Sequence, residues 1–489
     1  MSTMADTVAG LLRQHATDPE KIFAVLSDGT TITYTQQSDR SLAAAAGLHA
    51  RHVMAGDRVL VRLANGREFF DIWFATALVG AVMVPVNPDS TDEELAHLRR
   101  DCDPAAEIAE PAEVDTLRQQ GARCSFKPDH SAQDPDRLAA ILYTSGTTSL
   151  PKGVMITERN YLTVGAAVAD HLAMTADDRW LICLPLFHAN AQFYCAMSAL
   201  TQGASIAVTP RFSASRWGQQ VQATGATLGS LFAAPVRMIL ANPATHDQTA
   251  PNLRCVMFAQ NLSEREVTEF ETRFDTTLLQ IYGMTETVLP PTMNPLQGGR
   301  HHSIGRALPG VRIDLLDESG QISTDDTGEM RISGTPGHTL AAGYWRNPAA
   351  TAEAFSANGL RTGDVAHRDP DGFYYFVDRT KDMIKRGGEN VAASEIEAVA
   401  LHHPAVSQCA AVAIPDSMLD EAIALVVVPE PGTNPAASEL LDWCQERLSR
   451  FKVPSVVTFV DALPRTSVGK VRKSELKTLF TTGEPTPRT

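Results

Sequence analysis

The sequence predicts an α/β protein with a large N-terminal domain of mostly parallel sheets covered by helices. A small β-rich subdomain and a small α+β C-terminal domain follow. Three observations support this prediction. The 489 residues are too many for one ordinary hydrophobic core. Helical and strand patterns alternate from residue 8 to residue 300, as in parallel sheets. From residue 304 the pattern changes to short strands separated by Gly-containing turns.

The alternation begins near the N-terminus and continues to residue 300. Residues 72–86 form an apolar run that predicts a buried helix entering a strand, because it is shorter than the roughly 20 residues that span a bilayer. Residues 103–137 are polar and poorly periodic. The predicted helices are 8–15, 36–50, 67–79 and 264–273. The predicted strands are 31–34, 58–63, 81–86, 138–143, 180–184, 205–208, 228–232, 254–258 and 278–282.

The second half divides into two further units. Short strands at 311–316, 329–332 and 373–377 predict the β-rich subdomain, residues 304–379, as the end of an N-terminal domain spanning 1–379. Residues 380–489 form the C-terminal domain. Its predicted elements are helices 394–401 and 438–448 and strands 408–414, 422–428 and 456–460.

The composition excludes several classes of function. With 42 Lys and Arg against 57 Asp and Glu, the net charge of −15 disfavours nucleic acids and anionic membranes as partners. The seven cysteines are odd in number and form no Cys-x-x-Cys pair, so we expect free thiols in a reducing cytoplasm. The sequence also has no signal-peptide pattern at its N-terminus and no Gly-x-Ser-x-Gly hydrolase motif.

A run of small residues follows the strand predicted at 138–143. It comprises Thr144, Ser145, Gly146, Thr147 and Thr148, and Lys152 comes shortly after it. Backbone N–H groups and hydroxyls at such a run can approach an anion closely, and a lysine adds a mobile charge. The run therefore predicts a polyphosphate-binding loop. It is not a Walker A motif, because the Gly-Lys pair at 469–470 is followed by Val471.

A second motif, Tyr282-Gly283-Met284-Thr285-Glu286, follows a predicted parallel strand. Ligands bind at such strand ends, where a tyrosine can stack on a base and a carboxylate can bind Mg²⁺. For an isolated string, a core tyrosine and a solvated glutamate would be the simpler interpretation.

Three more motifs lie further along the chain. Residues 360–364 end in Thr-Gly-Asp, residues 371–379 end in Asp-Arg, and residues 381–391 contain Gly387-Gly388. Residues 464–470 end in Gly469-Lys470. Taken singly, Arg379 could form a surface ion pair, Gly387-Gly388 a β-turn, and Lys470 a solvated side chain.

In this order and spacing, the motifs closely resemble those of the adenylate-forming (ANL) superfamily, which includes acyl-CoA synthetases, luciferases and peptide-synthetase adenylation domains. The resemblance implies ATP, Mg²⁺ and coenzyme A as ligands, and a mobile C-terminal domain that rotates between two half-reactions. It implies a phosphate-binding role for Thr144, Ser145, Gly146, Thr147, Thr148 and Lys152. It implies nucleotide contacts for Gln260, Asn261, Tyr282, Gly283, Thr285, Asp364, Phe376, Arg379 and Lys470.

The resemblance also assigns the chemistry. Lys470 is the expected catalytic lysine, with Thr285 near the α-phosphate, Glu286 on the metal, and His188 gating entry of substrate or thiol. Lys381 is the expected hinge. The coenzyme A arm is expected to pass Gly387, Gly388 and Glu389. The acyl pocket is expected to include His188, Asn190, Ala234, Met284 and Val288.

The predicted reaction is ATP-dependent ligation of a small-molecule carboxylic acid to coenzyme A. The 187–190 stretch lacks an Asp that could pair with an ammonium group, and its neighbours are mostly small or apolar. We therefore expect a fairly large apolar acid without an α-amino group.

Ser149 and residues 259–262 depart from the family pattern, and the latter resemble the carnitine/crotonobetaine–CoA ligase branch. Two alternatives remain: an acyl-AMP ligase that loads a carrier-protein phosphopantetheine arm, and a catalytically idle nucleotide-binding homologue. Either a monomer or a homodimer is compatible with the sequence.

Overall fold

The computed structural model describes residues 6–128, 134–144, 151–245, 248–380, 382–386, 389–416, 420–465 and 471–480. The bounds of the helices are Val8–His15 (α1), Tyr34–Ala50 (α2), Arg67–Val79 (α3), Asp92–Cys102 (α4), Pro111–Gly121 (α5), Glu158–His171 (α6), Met197–Gln202 (α7), Trp217–Thr224 (α8), Ala233–Ala241 (α9), Glu264–Phe274 (α10), Pro348–Ala354 (α11), Ala393–Leu401 (α12), Ala437–Gln445 (α13) and Lys473–Lys477 (α14). A π-helix, Asn190–Ala196, leads directly into α7.

The strands are short, as expected for a sheet protein with many connections. Their bounds are Ile22–Leu26 (β1), Thr31–Thr33 (β2), Arg58–Val61 (β3), Val82–Pro85 (β4), Ala106–Ile108 (β5), Leu138–Thr144 (β6), Lys152–Thr157 (β7), Arg179–Ile182 (β8), Ser205–Val208 (β9), Leu228–Phe232 (β10), Cys255–Ala259 (β11), Thr277–Tyr282 (β12), Thr292–Met293 (β13), Gly305–Ala307 (β14), Arg312–Leu316 (β15), Thr327–Ser333 (β16), Phe355–Ser356 (β17), Gly359–Arg368 (β18), Phe373–Arg379 (β19), Ile384–Arg386 (β20), Glu389–Val391 (β21), Val406–Asp416 (β22), Asp420–Pro429 (β23) and Val456–Phe459 (β24).

The large N-terminal part contains two sheets. One follows the order β15-β16-β18-β19-β14-β13-β12-β11-β10-β8-β9-β1-β2. Along this order, the neighbouring strands β12, β11, β10, β8 and β9 pair parallel. On the other side of β12, the strands pair antiparallel, beginning with β13. The predicted β-rich subdomain therefore extends the parallel sheet through β13 and β14. The second sheet has the order β5-β3-β4-β6-β7, and both sheets contribute to one hydrophobic core.

Helices α2 and α5 pack unusually closely in this core. A Cβ added to Gly121 would lie 1.8 Å from the carbonyl oxygen of Ala43. One added to Gly47 would lie 2.2 Å from that of Leu117. Only glycine allows this approach of two helix backbones. Residues 103–137, which show no clear periodicity in the sequence, thus contain both β5 and a packed helix.

The C-terminal part has its own sheet, of order β21-β20-β23-β22, with β24 paired parallel to β23. Helices α12 and α13 cover one face, and the residues between form a separate core around Ile396, Leu425 and Leu440. The fold class is confirmed: an α/β protein with a large sheet domain and a smaller C-terminal domain. Within the described ranges, no helix combines the length and apolarity needed to cross a membrane.

Candidate functional site

Three parallel strands bring the predicted site residues to one edge of the large sheet. Strands β10, β11 and β12 are paired in register and end at Phe232, Ala259 and Tyr282. The chain then continues into Ala234 on α9, into Gln260 and Asn261, and into the Gly283–Glu286 turn. Ligands bind beyond the carboxyl ends of such strands. The fold therefore collects residues that are far apart in sequence.

A buried carboxylate lies at one end of this edge. The Tyr282 hydroxyl donates a 2.7 Å hydrogen bond to Oδ2 of Asp364, and Nε of Arg379 is 3.3 Å from Oδ1. Asp364 and Arg379 are direct cross-strand partners on β18 and β19. Burial, followed by the charge of Asp364, raises the pKa of Tyr282, so the hydroxyl remains a donor. A carboxylate held in this way is suited to accept two sugar hydroxyls. Phe376 lies nearby on β19 and is partly buried.

The loop after β11 is held from two sides. Gln260 has a φ of 77°, and its carbonyl accepts a 3.0 Å hydrogen bond from Nε2 of Gln280. The carbonyl of Asn261 accepts a 2.7 Å hydrogen bond from Nη2 of Arg237. Oε1 of Gln280 is buried and has no hydrogen-bond partner among the described residues. An acceptor buried without a partner is unfavourable; what Gln280 contributes to the loop is the hydrogen bond from its amide N–H₂ group.

A second buried carboxylate, Glu286, lies at the other end of the Gly283–Glu286 turn. Its Oε1 accepts a 2.9 Å hydrogen bond from the Tyr344 hydroxyl. Nζ of Lys152 lies 5.0 Å from the centre of the Tyr344 ring, within cation–π range. Residues 343–345 run along β7, where the Trp345 N–H donates to the Gly153 carbonyl at 2.7 Å. This pairing brings the phosphate-loop lysine and the predicted metal ligand together.

Glu286 fits a magnesium ion that is shared with phosphates. In the part of the chain that the structure describes, no group of three or more His, Cys, Asp or Glu residues could hold a metal alone. Mg²⁺ is commonly bound by one or two carboxylates together with substrate phosphate oxygens and water. The single carboxylate beside Lys152 therefore matches the chemistry of Mg²⁺ bound to a nucleotide.

The predicted acyl-pocket residues lie on three elements: at or just before the π-helix (His188 and Asn190), at the start of α9 (Ala234), and in or just after the Gly283–Glu286 turn (Met284 and Val288). His188 packs against Phe187 with 4.2 Å between ring centres, and Oδ1 of Asn190 accepts a 2.9 Å hydrogen bond from Oγ of Ser230. Ala234 and Met284 are partly exposed. Val288, in contrast, is fully buried in the main core, with a φ of 58° that is strained for a β-branched residue.

Several predicted residues lie outside the described ranges: Ser145, Gly146, Thr147, Thr148, Lys381, Gly387, Gly388 and Lys470. The side chain of Glu389 also lies outside them. The flanks of two of these stretches are described. Thr144 and Lys152 are cross-strand partners, so the predicted phosphate loop connects two antiparallel strands.

The flanks of residues 466–470 are also paired, as Arg465 and Val471 form a β-bridge. Arg465 donates a 2.7 Å hydrogen bond to Oε1 of Gln408, and Lys473 lies 2.8 Å from Glu397. Burial and the nearby charge of Arg237 lower the pKa of Arg465. Arg237 is on α9, so this loop base faces the site edge of the large domain.

Four residues at or beside the site have no predicted role from sequence reasoning. They are Arg237, Gln280, Tyr344 and Tyr194, whose hydroxyl lies close to Gly283. Tyr344 lies in a Gly-Tyr-Trp stretch that itself weakly matches the family pattern. Gln280 is two residues before Tyr282 on the same strand face, which is a usable signal. The sequence gives no indication that Tyr194 or Arg237 has a role at the site, because each lies in a stretch that predicts an ordinary helix.

Comparison with known proteins agrees with this geometry. Residues 11–345 match the family model of AMP-binding enzymes, and residues 395–470 match that of the AMP-binding enzyme C-terminal domain. The crotonobetaine/carnitine–CoA ligase of Escherichia coli O45:K1 (strain S88 / ExPEC) is 36% identical over 464 residues, covering 87% of this chain and 89% of the relative. The corresponding ligase of Proteus mirabilis (strain HI4320) is 34% identical over 480 residues, covering 91% and 93%.

Solved structures show the same similarity. The crystal structure of ATP-bound MatB from Rhodopseudomonas palustris superposes with a TM-score of 0.90 at 28% identity, covering 98% of this chain and 99% of that one. Family models and relatives thus agree over nearly the whole length. The chain belongs to the family of AMP-binding enzymes, and within it to the acyl-CoA synthetases.

Proposed function

We propose that this protein is an ATP-dependent carboxylic acid:CoA ligase that works through an acyl-adenylate. One observation carries the proposal: two buried, hydrogen-bonded carboxylates flank the turn after β12. Asp364, bound by Tyr282 and Arg379, is suited to the ribose. Glu286, bound by Tyr344 beside Lys152, is suited to Mg²⁺ on the phosphates. The α-phosphorus of ATP would then lie beside Gly283 and Thr285, between these two ends.

The first half-reaction activates the acid. A carboxylate oxygen attacks the α-phosphorus of ATP, the bond from this phosphorus to the oxygen that bridges the α- and β-phosphates breaks, and pyrophosphate leaves. Glu286 would hold Mg²⁺, which would neutralise part of the charge on the phosphates. Two anions meet in this step, so positive charge at the reacting atoms gives the largest stabilisation. Lys470 would supply that charge, with Thr285 as a hydrogen-bond donor to the α-phosphate. Residues 144–148 and Lys152 would hold the leaving phosphates.

The second half-reaction transfers the acyl group. The sulfur of coenzyme A attacks the acyl carbonyl carbon and loses its proton, and AMP leaves as the C–O bond breaks. We propose that residues 380–489 rotate about Lys381 between the two steps, which would bring Gly387, Gly388 and Glu389 to the thiol arm. Domain rotation of this kind lets one site perform two reactions. His188 would then gate the path of substrate or thiol.

The acid we propose has no α-amino group. None of the described pocket residues His188, Asn190, Ala234 and Met284 carries the carboxylate that an ammonium group requires. The acids in the names of the relatives, crotonobetaine/carnitine–CoA ligases, likewise have no α-amino group. The sequence predicts a fairly large apolar acid, but the hydrogen-bonding groups of Asn190 and Ser230 favour an acid that is polar in part.

Acid-dependent exchange of radiolabelled pyrophosphate into ATP tests the proposal across a panel of carboxylic acids. We expect exchange that requires both an acid and Mg²⁺, and thioester formation when free coenzyme A is added. Thioester formation only on a phosphopantetheinylated carrier protein would favour the carrier-loading alternative. The departures at Ser149 and at residues 259–262 motivate the idle-homologue alternative, which the absence of exchange with every acid would support.

A further inference from the structure

Tyr194 is a buried tyrosine with an unusual environment. It is 6% exposed and lies on the π-helix Asn190–Ala196, beside the turn that follows β12. A Cβ added to Gly283 would lie only 2.7 Å from the Tyr194 hydroxyl. Gly283 lies between Tyr282, which is proposed to contact the nucleoside, and Glu286, which is proposed to bind Mg²⁺ on the phosphates. The hydroxyl therefore lies beside the turn at which the acid is proposed to bind, within reach of its acyl part.

The Tyr194 hydroxyl has no hydrogen bond to any residue in the described ranges. The other tyrosines of the same core differ in this respect. Tyr34 donates to the Ala204 carbonyl at 2.7 Å, Tyr161 to Gln192 at 2.5 Å, and Tyr344 to Glu286 at 2.9 Å. The Tyr194 oxygen is not one of the described polar atoms that are both fully shielded from solvent and without a partner, so a ligand can reach it and accept its hydrogen bond.

Asn190 adds a second polar group on the same element. It precedes Tyr194 by four residues, so in a π-helix the two lie about one turn apart. Ser230 on β10 donates a 2.9 Å hydrogen bond to Oδ1 of Asn190, which orients the amide and leaves its N–H₂ group as a donor. The two donors are uncharged. π-Helical segments often occur at functional sites, because their wide turn changes which side chains share a face.

We propose that Tyr194 and Asn190 select the acid, by donating hydrogen bonds to a neutral oxygen in its acyl part. The substrate class is then a carboxylic acid that carries a hydroxyl or carbonyl oxygen in addition to its carboxylate. This inference rests on the proposed ligase function and deepens it. Sites built to hydrogen-bond a substrate group strongly reject the analogue that lacks the group, because their own buried polar groups are then left unpaired.

The protonation state of Tyr194 agrees with this role. Burial raises the pKa of Tyr194, so the hydroxyl stays protonated and can donate throughout the neutral range. Selection by this group is therefore independent of pH near neutrality.

The experiment uses the full-length enzyme and matched acid pairs that differ by one oxygen, such as 3-hydroxybutanoate against butanoate and 4-oxopentanoate against pentanoate. Thioester formation gives kcat/KM for each acid. For at least one pair, we expect the wild-type enzyme to prefer the oxygenated acid by about tenfold or more. Tyr194→Phe should reduce that preference by about tenfold, mainly through the oxygenated acid.

Tyr161→Phe is the matched control. It also removes one hydroxyl that contacts the π-helix, through Gln192, but it does so inside the core. We expect it to lower thermal stability and to leave the preference between paired acids unchanged. If Tyr194→Phe does not fold, Asn190→Leu gives the same test from the second donor.

Two results would overturn the inference: a wild-type enzyme that shows no preference for the oxygenated acid in any pair, or a Tyr194→Phe variant that slows both acids of a pair equally. Failure of the proposed function itself looks different, because no acid would then support pyrophosphate exchange by the wild-type enzyme.

Discussion

The part of the site proposed to bind the nucleoside, around Asp364, differs in its contacts from the residues that flank 466–470. At the nucleoside end, Asp364 is 5% exposed and is held by partners on two other strands of the large sheet. At the loop base, Lys473 and Glu397 form an ion pair whose side chains are 18% and 21% exposed. The carboxylate proposed to bind the ribose is therefore part of the core of the large domain, whereas the ion pair beside the expected catalytic lysine is partly exposed in the small domain.

This difference matches two tasks. Removing one partner from a buried, charged hydrogen bond typically costs about 1.5–3 kcal/mol, whereas fully exposed ion pairs contribute about 0–1 kcal/mol. The Lys473–Glu397 pair lies between these two limits. In the proposed mechanism, nucleotide binding is needed throughout the reaction, so a rigid core site suits it. Lys470 is proposed to act only while pyrophosphate leaves, so weaker contacts that can be exchanged would suit it.

The largest expected effect comes from Lys470→Ala. Losing the charge at the α-phosphate should slow adenylate formation by at least about a hundredfold. Thioester formation from supplied acyl-AMP should be nearly unchanged. The two half-reactions are measured separately, with Lys477→Ala on the last turn of α14 as the control. Equal loss of both half-reactions would contradict the separation of tasks.

Asp364→Asn should act on the nucleotide. The amide cannot keep both its charged contact to Arg379 and its acceptor role towards Tyr282 and the ribose. We expect kcat/KM for ATP to fall by about 10- to 100-fold. The control is Asp326→Asn, which removes an exposed partner of Arg368. An unchanged kcat/KM for ATP would contradict nucleotide binding by Asp364.

Glu286→Gln should shift the dependence on metal. A neutral amide binds Mg²⁺ more weakly than a carboxylate, so the Mg²⁺ concentration for half-maximal exchange should rise by about tenfold. Tyr344→Phe keeps the carboxylate and should cause a smaller rise. A Glu286→Gln variant with the wild-type Mg²⁺ profile would exclude Glu286 as a metal ligand.

The smallest effect is expected for Lys473→Met. Burial opposes the charge of Lys473, but Glu397 and Asp378 outweigh it and raise the pKa of Lys473, so the ion pair is formed at neutral pH. Without it we expect adenylate formation to slow by a few fold, and Lys473→Arg to restore the rate. Failure of the arginine to rescue would argue against an anchoring role.

The sequence predicts some elements with accurate bounds and misses others for physical reasons. Apolar and β-branched runs locate β9 and β10, and helical patterns locate α1 and the mostly buried α3. Helix α5 is missed because it buries only Val114, Leu117 and Gly121 among polar residues. Strand β18 is missed because Arg361, Thr362 and Gly363 interrupt its apolar pattern. These residues belong to the motif that ends in Asp364.

The sequence predicts the position of those site residues that lie together in one short motif. Tyr282 and Glu286 follow one strand, so the motif itself places both at the sheet edge. The Tyr282–Asp364 hydrogen bond joins residues 82 positions apart, and only the sheet order brings them together. Tyr194 cannot be predicted, because a buried aromatic in an apolar stretch reads as core until its unpaired hydroxyl is located.

A single-turnover experiment with the wild-type enzyme tests the central claim most directly. Enzyme, MgATP and a substrate acid are mixed without coenzyme A, and coenzyme A is then added. We predict that acyl-AMP first accumulates on the enzyme with an equal amount of pyrophosphate, and that it then converts to acyl-CoA and AMP. Coenzyme A-dependent product without an adenylate intermediate, or an adenylate that coenzyme A does not consume, would contradict the account.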